Sequence, residues 1–231
     1  MRWYLRRVPL LKSFTAATQA RLGDLATRHD LQRGQAVYIE GDRSDRVYFA
    51  CGGRVRSTMI SSGGKVVTLA HYGPGELFGE SGLSGDGPRE HSVWTTTPAI
   101  IAELPMAVFV DALRGCPEAL LEFARLTSRR CQALAKRLGD LVLRDVKAKC
   151  AGLLLDLAGE FGRETDEGTV IEIVRTHQEV ADDIAATRET VSIVLGGFAR
   201  DGLVAKQGRF LVVTDARRLS AITGANMGRT R

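Results

Sequence analysis

Thr176-His177-Gln178-Glu179-Val180-Ala181-Asp182-Asp183-Ile184-Ala185-Ala186-Thr187-Arg188-Glu189-Thr190-Val191-Ser192 reads as two short helices joined by a tight turn. Thr176 and Glu179 have the spacing of a capping box, which opens the first helix. Val180 and Ile184, four apart, give that helix one buried face. Ala185-Ala186 put small side chains where the two helices must turn closely, and Thr187 caps the second helix. At about 100° per residue, Val191, Val194, Leu195 and Phe198 cluster on one side of it, while Arg188, Glu189 and Ser192 fall on another. Arginine can give two hydrogen bonds to guanine, and a carboxylate can accept from the cytosine amino group. A helix-turn-helix presents such side chains from the first turns of its second helix. An ordinary helical hairpin with a solvated charged face has the same periodicity.

The residues after the second helix favour the first reading. Asp201-Gly202 ends the helix. Leu203-Val204-Ala205 and Phe210-Leu211-Val212-Val213 are short β-like runs around Lys206-Gln207-Gly208-Arg209. This is a hairpin with a basic tip, the form of a wing beside a helix-turn-helix. Lys206 and Arg209 are placed to meet phosphates, which position a protein without reading sequence.

The chain has 231 residues, 44% hydrophobic and 26% charged, as expected for a soluble globular protein of one large or two smaller domains. No run of about 18 apolar residues is present, so no membrane partner is expected. The first residues lack the apolar core and small-residue cleavage site of a secretory signal, which predicts a cytoplasmic protein. A net charge of +5 favours polyanions only weakly. Residues 169–231 carry nine Lys and Arg against seven Asp and Glu, so charge alone does not mark the DNA-reading segment. Cys51, Cys116, Cys131 and Cys150 are scattered without a C-x-x-C pair and read as buried free thiols. His29, His71, His91 and His177 form no metal-binding spacing. No metal site and no catalytic constellation are expected.

The chain divides into three zones ahead of the helix pair. Residues 1–30 have helical spacing at Leu10, Leu11, Phe14, Ala17, Leu22 and Leu25. Residues 31–115 hold β-like runs at Gln35–Glu40, Arg46–Cys51, Gly53–Ile60, Lys65–Tyr72, His91–Thr96 and Ala99–Pro105, punctuated by glycine turns. That pattern predicts an antiparallel barrel or jelly roll. Residues 118–146 return to helix, with the seam Leu120, Ala124, Thr127, Cys131, Leu134, Leu138, Leu141 in alternating four- and three-residue steps. Such a seam suits pairing with a copy of itself; packing on its own barrel is the alternative. The hinge is expected near Leu141–Lys147.

Gly75-Glu76-Leu77-Phe78-Gly79-Glu80, Pro88-Arg89, Asp145-Val146 and the Gln178-Glu179-Val180…Arg188-Glu189-Thr190-Val191-Ser192 pair together resemble the cAMP receptor/fumarate-nitrate regulator (CRP/FNR) family. The resemblance covers nearly the whole chain. It implies an α+β chain: an N-terminal antiparallel β-roll like a cyclic-nucleotide-binding jelly roll (1–117), a dimerisation helix and hinge (118–146), and a C-terminal winged helix-turn-helix (147–231). It implies a non-enzymatic, homodimeric transcription regulator that binds a roughly palindromic double-stranded DNA site, with RNA polymerase as a further partner. A small effector in the β-roll, cyclic AMP being the candidate, would occupy Gly79, Glu80, Ser81, Pro88 and Arg89. Arg89 would pair a phosphate with its planar fork, and Glu80 would accept from a ribose hydroxyl. The family pattern then breaks: a small hydroxyl residue and alanine are replaced by Glu90-His91, and the Thr-Ser pair that contacts adenine falls at Leu134-Ala135. In the DNA half, Arg188, Glu189 and Ser192 take the base-reading positions, and Thr176, Gln178, Thr187, Lys206 and Arg209 the phosphate positions. Ile193 stands where many members carry a further arginine. A metal-dependent β-roll enzyme and an effector-independent DNA-binding protein are the two rival readings.

Overall fold

The computed structural model describes residues 2–64, 66–85 and 87–224, and the side chains of 140–143 lie outside the description. Two compact units result, one of 1–64 with 68–133 and one of 65–67 with 134–231.

The first unit begins with two 3-10 turns, Trp3–Arg7 and Pro9–Ser13, and helix α1 (Ala16–Leu25), capped by the Thr15 hydroxyl accepting from the Thr18 amide. Eight strands come next: β1 (Thr27–Leu31), β2 (Ala36–Tyr38), β3 (Arg46–Gly52), β4 (Val55–Ile60), β5 (Val66–Tyr72), β6 (Leu77–Phe78), β7 (Ser92–Thr95) and β8 (Ala99–Pro105). They form two four-stranded sheets, ordered β1-β8-β3-β6 and β2-β7-β4-β5, with antiparallel pairings such as Val47 opposite Leu104. The antiparallel roll expected from the glycine-broken runs is present. Gly53 shows why glycine marks those breaks: it sits at φ +71°, and a Cβ there would lie 2.1 Å from the Pro98 carbonyl oxygen.

Two features differ from the expectation. Residues 27–30 fall in the zone of helical spacing, yet 27–31 form edge strand β1, paired with β8 from Thr27 opposite Glu103 to Leu31 opposite Ala99. Its T-R-H-D-L sequence shows no apolar alternation because the strand is mostly exposed and is held by its backbone ladder. The two-residue strand β6 is too short to leave a periodic trace.

Helix α2 (Met106–Arg114) leads into the long helix α3 (Pro117–Leu143). Ala119 of α3 is buried in the main core of the roll with Leu5, Val47, Phe49, Leu104 and Phe109, and Phe123 and Leu126 pack against that core. Helix α4 (Val146–Phe161) starts at Asp145, whose carboxylate accepts from the Ala148 amide at 2.7 Å.

The second unit adds β9 (Gly162–Thr165), β10 (Gly168–Ile171), α5 (His177–Ile184), α6 (Arg188–Arg200), β11 (Val204–Gln207), β12 (Phe210–Val213) and α7 (Ala216–Ile222), with its sheet ordered β11-β12-β10-β9. Leu154 of α4, Val180 and Ile184 of α5, Val191, Leu195 and Phe198 of α6 and Leu219 of α7 share one core. Among the described residues no helix is long and apolar enough to cross a membrane.

Candidate nucleic-acid interface and effector pocket

The capping box at Thr176 is complete. The Thr176 hydroxyl accepts from the Glu179 amide at 3.1 Å, and the Glu179 carboxylate accepts from the Thr176 amide at 2.8 Å. The hydroxyl proton goes to the same carboxylate at 3.0 Å. Helix α5 ends at Ala185, which adopts φ 53° and ψ 43°, the one left-handed non-glycine backbone among the described residues. Such a conformation costs a side chain about 1–2 kcal/mol, and the tight turn requires it. Thr187 then caps α6 by accepting from the Thr190 amide at 3.2 Å.

With Val191, Leu195 and Phe198 buried, the opposite side of α6 faces out. Thr187, Arg188 and Glu189 are exposed in and before its first turn. Ile193 is 72% exposed, an aliphatic side chain on the same helix that no packing accounts for. Ser192 is half-buried, because its Oγ lies 2.7 Å from Nδ1 of His177 at the start of α5. The other predicted phosphate contacts differ in their freedom. Gln178 Nε2 donates to Asp182 at 2.8 Å. Lys206 is exposed within β11, which runs further than expected, so the wing tip is only Gly208-Arg209. The Arg209 guanidinium lies 5.2 Å from the Phe210 ring.

One residue of this unit is not singled out by the sequence. Arg137, near the end of α3, donates to the Asp183 carbonyl oxygen of α5 at 2.5 Å. Burial pulls its guanidinium below the usual range, and Asp183 partly offsets this. Its signal in sequence is weak, since one arginine on a charged helix looks like any other.

In the β-roll, Gly79 is left-handed at φ +80°, and a Cβ on it would lie 2.9 Å from the Tyr48 ring. Arg89 is 1% exposed. It donates to the Gly79 carbonyl at 2.7 Å and to the Arg46 carbonyl, and it sits 4.4 Å from the Tyr38 ring centre. Its Nε is buried without a hydrogen-bond partner. Ser81 and Pro88 are exposed, and Glu80 is half-buried. Glu80 does not pair with Arg89; its carboxylate accepts from Arg130 of α3 at 2.5 Å. The His91 Nε2 lies 2.9 Å from the Tyr38 hydroxyl oxygen. Burial, with Arg89 adding to it, holds the His91 imidazole below its usual pKa against the pull of Glu80 and Glu90.

Aromatic rings link these two arginines. Tyr72 stacks on Phe78 at 5.3 Å, Phe78 on Tyr48 at 5.4 Å, and Tyr48 lies 5.4 Å from Tyr38. Arg89 covers the Tyr38 end and Arg130 the Tyr72 end, 5.0 Å from that ring. Burial pushes the Tyr72 hydroxyl up to about 12 and raises that of Tyr38 further, so both are neutral at ordinary pH. The column leaves no trace in the sequence, because its rings come from four strands.

On α3, Ala124, Cys131, Leu134 and Leu138 of the expected seam are all exposed, Leu134 at 50% and Leu138 at 62%. Thr127 is half-buried and its hydroxyl donates back to the Ala124 carbonyl at 2.9 Å. The Leu141 side chain lies outside the described residues. Cys51, Cys116 and Cys150 are buried, as expected from the sequence, but Cys131, on this seam of α3, is exposed. Among the described residues no group of three His, Cys, Asp or Glu is placed to hold a metal ion.

Comparison with known proteins agrees with this geometry. Residues 28–115 match the model of a cyclic nucleotide-binding domain, and residues 148–222 that of a Crp-like helix-turn-helix domain. The chain is 31% identical to the CRP-like cAMP-activated global transcriptional regulator of Mycobacterium tuberculosis, covering 83% of this chain and 85% of that one. It is 28% identical to the cAMP-activated global transcriptional regulator CRP of Escherichia coli O157:H7, covering 82% and 90%. Among solved structures, a CRP-family transcriptional regulator from Thermus thermophilus superposes with a TM-score of 0.71 at 28% identity, over 86% of this chain and 97% of that one. The c-di-GMP responsive regulator CLP of Xanthomonas campestris has the same fold, with a TM-score of 0.77 at 23% identity over 87% and 100%.

The Arg89 contacts carry a stability consequence. Arg89→Leu removes two charge-assisted hydrogen bonds, one to the Arg46 carbonyl and one to the Gly79 carbonyl, which keeps only a long 3.5 Å bond from the Gly82 amide. It should destabilise the β-roll by about 3 kcal/mol. Urea denaturation of the variant checks this; a midpoint unchanged from wild type would show that Arg89 is held in reserve for a ligand instead.

Proposed function

Because the chain belongs to the CRP/FNR family of transcription regulators, we propose that it works as a homodimer reading a roughly palindromic double-stranded DNA site. We read it as cytoplasmic and without catalysis of its own, with RNA polymerase as a further partner. The domains divide as 1–117, 118–146 and 147–231. The exposure of Arg188 and Glu189 at the start of a helix whose other face is buried carries the DNA reading. In this reading Arg188, Glu189 and Ser192 meet base edges, while Gln178, Thr187, Lys206 and Arg209 meet phosphates. Thr176 serves chiefly to hold α5, since its hydroxyl proton is already engaged by Glu179.

Dimerisation is read from helix α3. Its residues Ala119, Phe123 and Leu126 pack in the roll, while Leu134 and Leu138, four residues apart, expose aliphatic surface.

For the β-roll, two readings have support. A cyclic nucleotide such as cyclic AMP fits in part: Gly79 allows close backbone approach, and the Arg89 Nε lacks a partner. When bound, it would bring an anionic phosphate for Arg89 and a ribose hydroxyl for Glu80. Effector independence is favoured by the ring column, which already engages both Arg89 and Arg130 and fills the space between them with aromatic side chains. An effector can change DNA binding only through its differential affinity for two states.

Three measurements test these readings. Site selection from random DNA should return a two-fold-related sequence. Arg188→Ala should cost about 1–3 kcal/mol on that site and relax preference at one base pair per half-site. Lys206→Ala should instead weaken all sequences alike and reduce the salt slope by about one. An Arg188→Ala variant with full preference would refute the assignment of α6.

Leu138→Glu, by placing an unpaired charge on the seam, should give monomers in sedimentation. A variant that stays a tight dimer would exclude this edge of α3 as the interface.

DNA titrations with and without cyclic AMP decide between the two β-roll readings. Equal affinities, with no thermal shift by the nucleotide, are expected from the self-filled roll. A tighter complex in its presence would establish the nucleotide reading.

A further inference from the structure

The hydroxyl of Ser192 is not a free reader of bases. It stands one turn after Arg188, on the same side of α6, and its Oγ lies 2.7 Å from Nδ1 of His177. His177 is the first residue of α5, immediately after the capping Thr176. Both residues are half-buried, so the contact forms in the angle between the two helices, at its open edge.

A serine hydroxyl has one proton and two lone-pair positions, and it turns freely when unpartnered. That freedom lets serine contact donor or acceptor base edges alike. The imidazole removes it. If Nδ1 carries the lone pair, Ser192 donates its only proton inward and turns lone pairs outward, toward an adenine or cytosine amino group. If Nδ1 carries the proton, Ser192 accepts from the ring and keeps its own proton for guanine or thymine O6, O4 or N7 positions. In either case the ring fixes the serine rotamer and assigns the hydroxyl one outward role. Neighbouring hydroxyls differ: Thr176 and Thr187 are engaged with their own helix termini.

We propose that His177 is a positioning residue for DNA specificity, setting through Ser192 which base edge the second turn of α6 accepts. The proposal rests on α6 being the base-reading helix. It assigns a side chain on the first helix of the motif a part in sequence choice, without requiring that it touch a base.

The test is site selection followed by titration of wild type, His177→Ala, Ser192→Ala, the double variant and His177→Asn, with thermal melts of each. His177→Ala should lower preference about fivefold at one base pair per half-site, the weight of one hydrogen bond, and leave the Arg188 position untouched. Ser192→Ala should relax the same base pair, and the double variant should lose no more than either single one. His177→Asn, whose side-chain amide takes the place of Nδ1, should retain most of the preference. A uniform loss over all sequences in His177→Ala, additive losses in the double variant, or relaxation at different base pairs would overturn the proposal. If His177→Ala does not fold, a His177→Asn variant that folds but reads as loosely as Ser192→Ala also overturns it. Failure of wild type to select any site would instead refute the α6 reading itself.

Discussion

A guanidinium closed off from water must have its donors met within the protein, and in the β-roll this requirement falls on Arg89. The carbonyls of Gly79 and Arg46 meet it at the two terminal nitrogens, the Nε is left without a hydrogen-bond partner, and the Tyr38 face covers the charge. Gly79 can offer its carbonyl only from a left-handed backbone, with no side chain between it and Tyr48. The glycine, the arginine and the tyrosines therefore form one unit. Changing any of them leaves a buried polar group unpaired or a ring without its neighbour.

The same unit reaches the long helix. Tyr38, Tyr48, Phe78 and Tyr72 stack in sequence, and Arg130 of α3 closes the far end while holding Glu80 and the Leu77 carbonyl. In the family pattern the glutamate and arginine of the cassette serve a ligand. In this chain their hydrogen bonds are made largely to the protein itself. On α3, Ala119, Phe123 and Leu126 pack in the roll core, whereas Leu134 and Leu138 are exposed.

Some of this is legible in the sequence. Capping signals are local, so Thr176, Glu179 and Thr187 mark helix starts correctly. The buried face of α6 follows from spacing alone. The glycine-broken runs point to the roll, but edge strand β1 is lost because an exposed strand has no apolar alternation to detect. The contacts of Arg89 and Arg130 are out of reach for a different reason. They join residues about forty to fifty positions apart, Arg89 with Arg46 and Arg130 with Glu80, and periodicity carries no information about such pairs. The sequence points to Arg89 and Glu80 as chemical groups without showing that each already has a partner.

The helix-turn-helix shows the same distinction between a residue's type and its engagement. Position alone assigns three hydroxyls, on Thr176, Thr187 and Ser192, to DNA. Thr176 gives its proton to Glu179, and Thr187 accepts from the Thr190 amide and shares a hydrogen bond with the Thr190 hydroxyl. Ser192 is tied across to the other helix. Each already has a partner within the fold. Their engagement orders the hydroxyls within the fold and narrows what each can offer. Arg188 and Glu189 are exposed at the start of α6. The motif therefore presents two kinds of group: exposed charged side chains at the start of α6, and hydroxyls closer to the fold that already have partners within it.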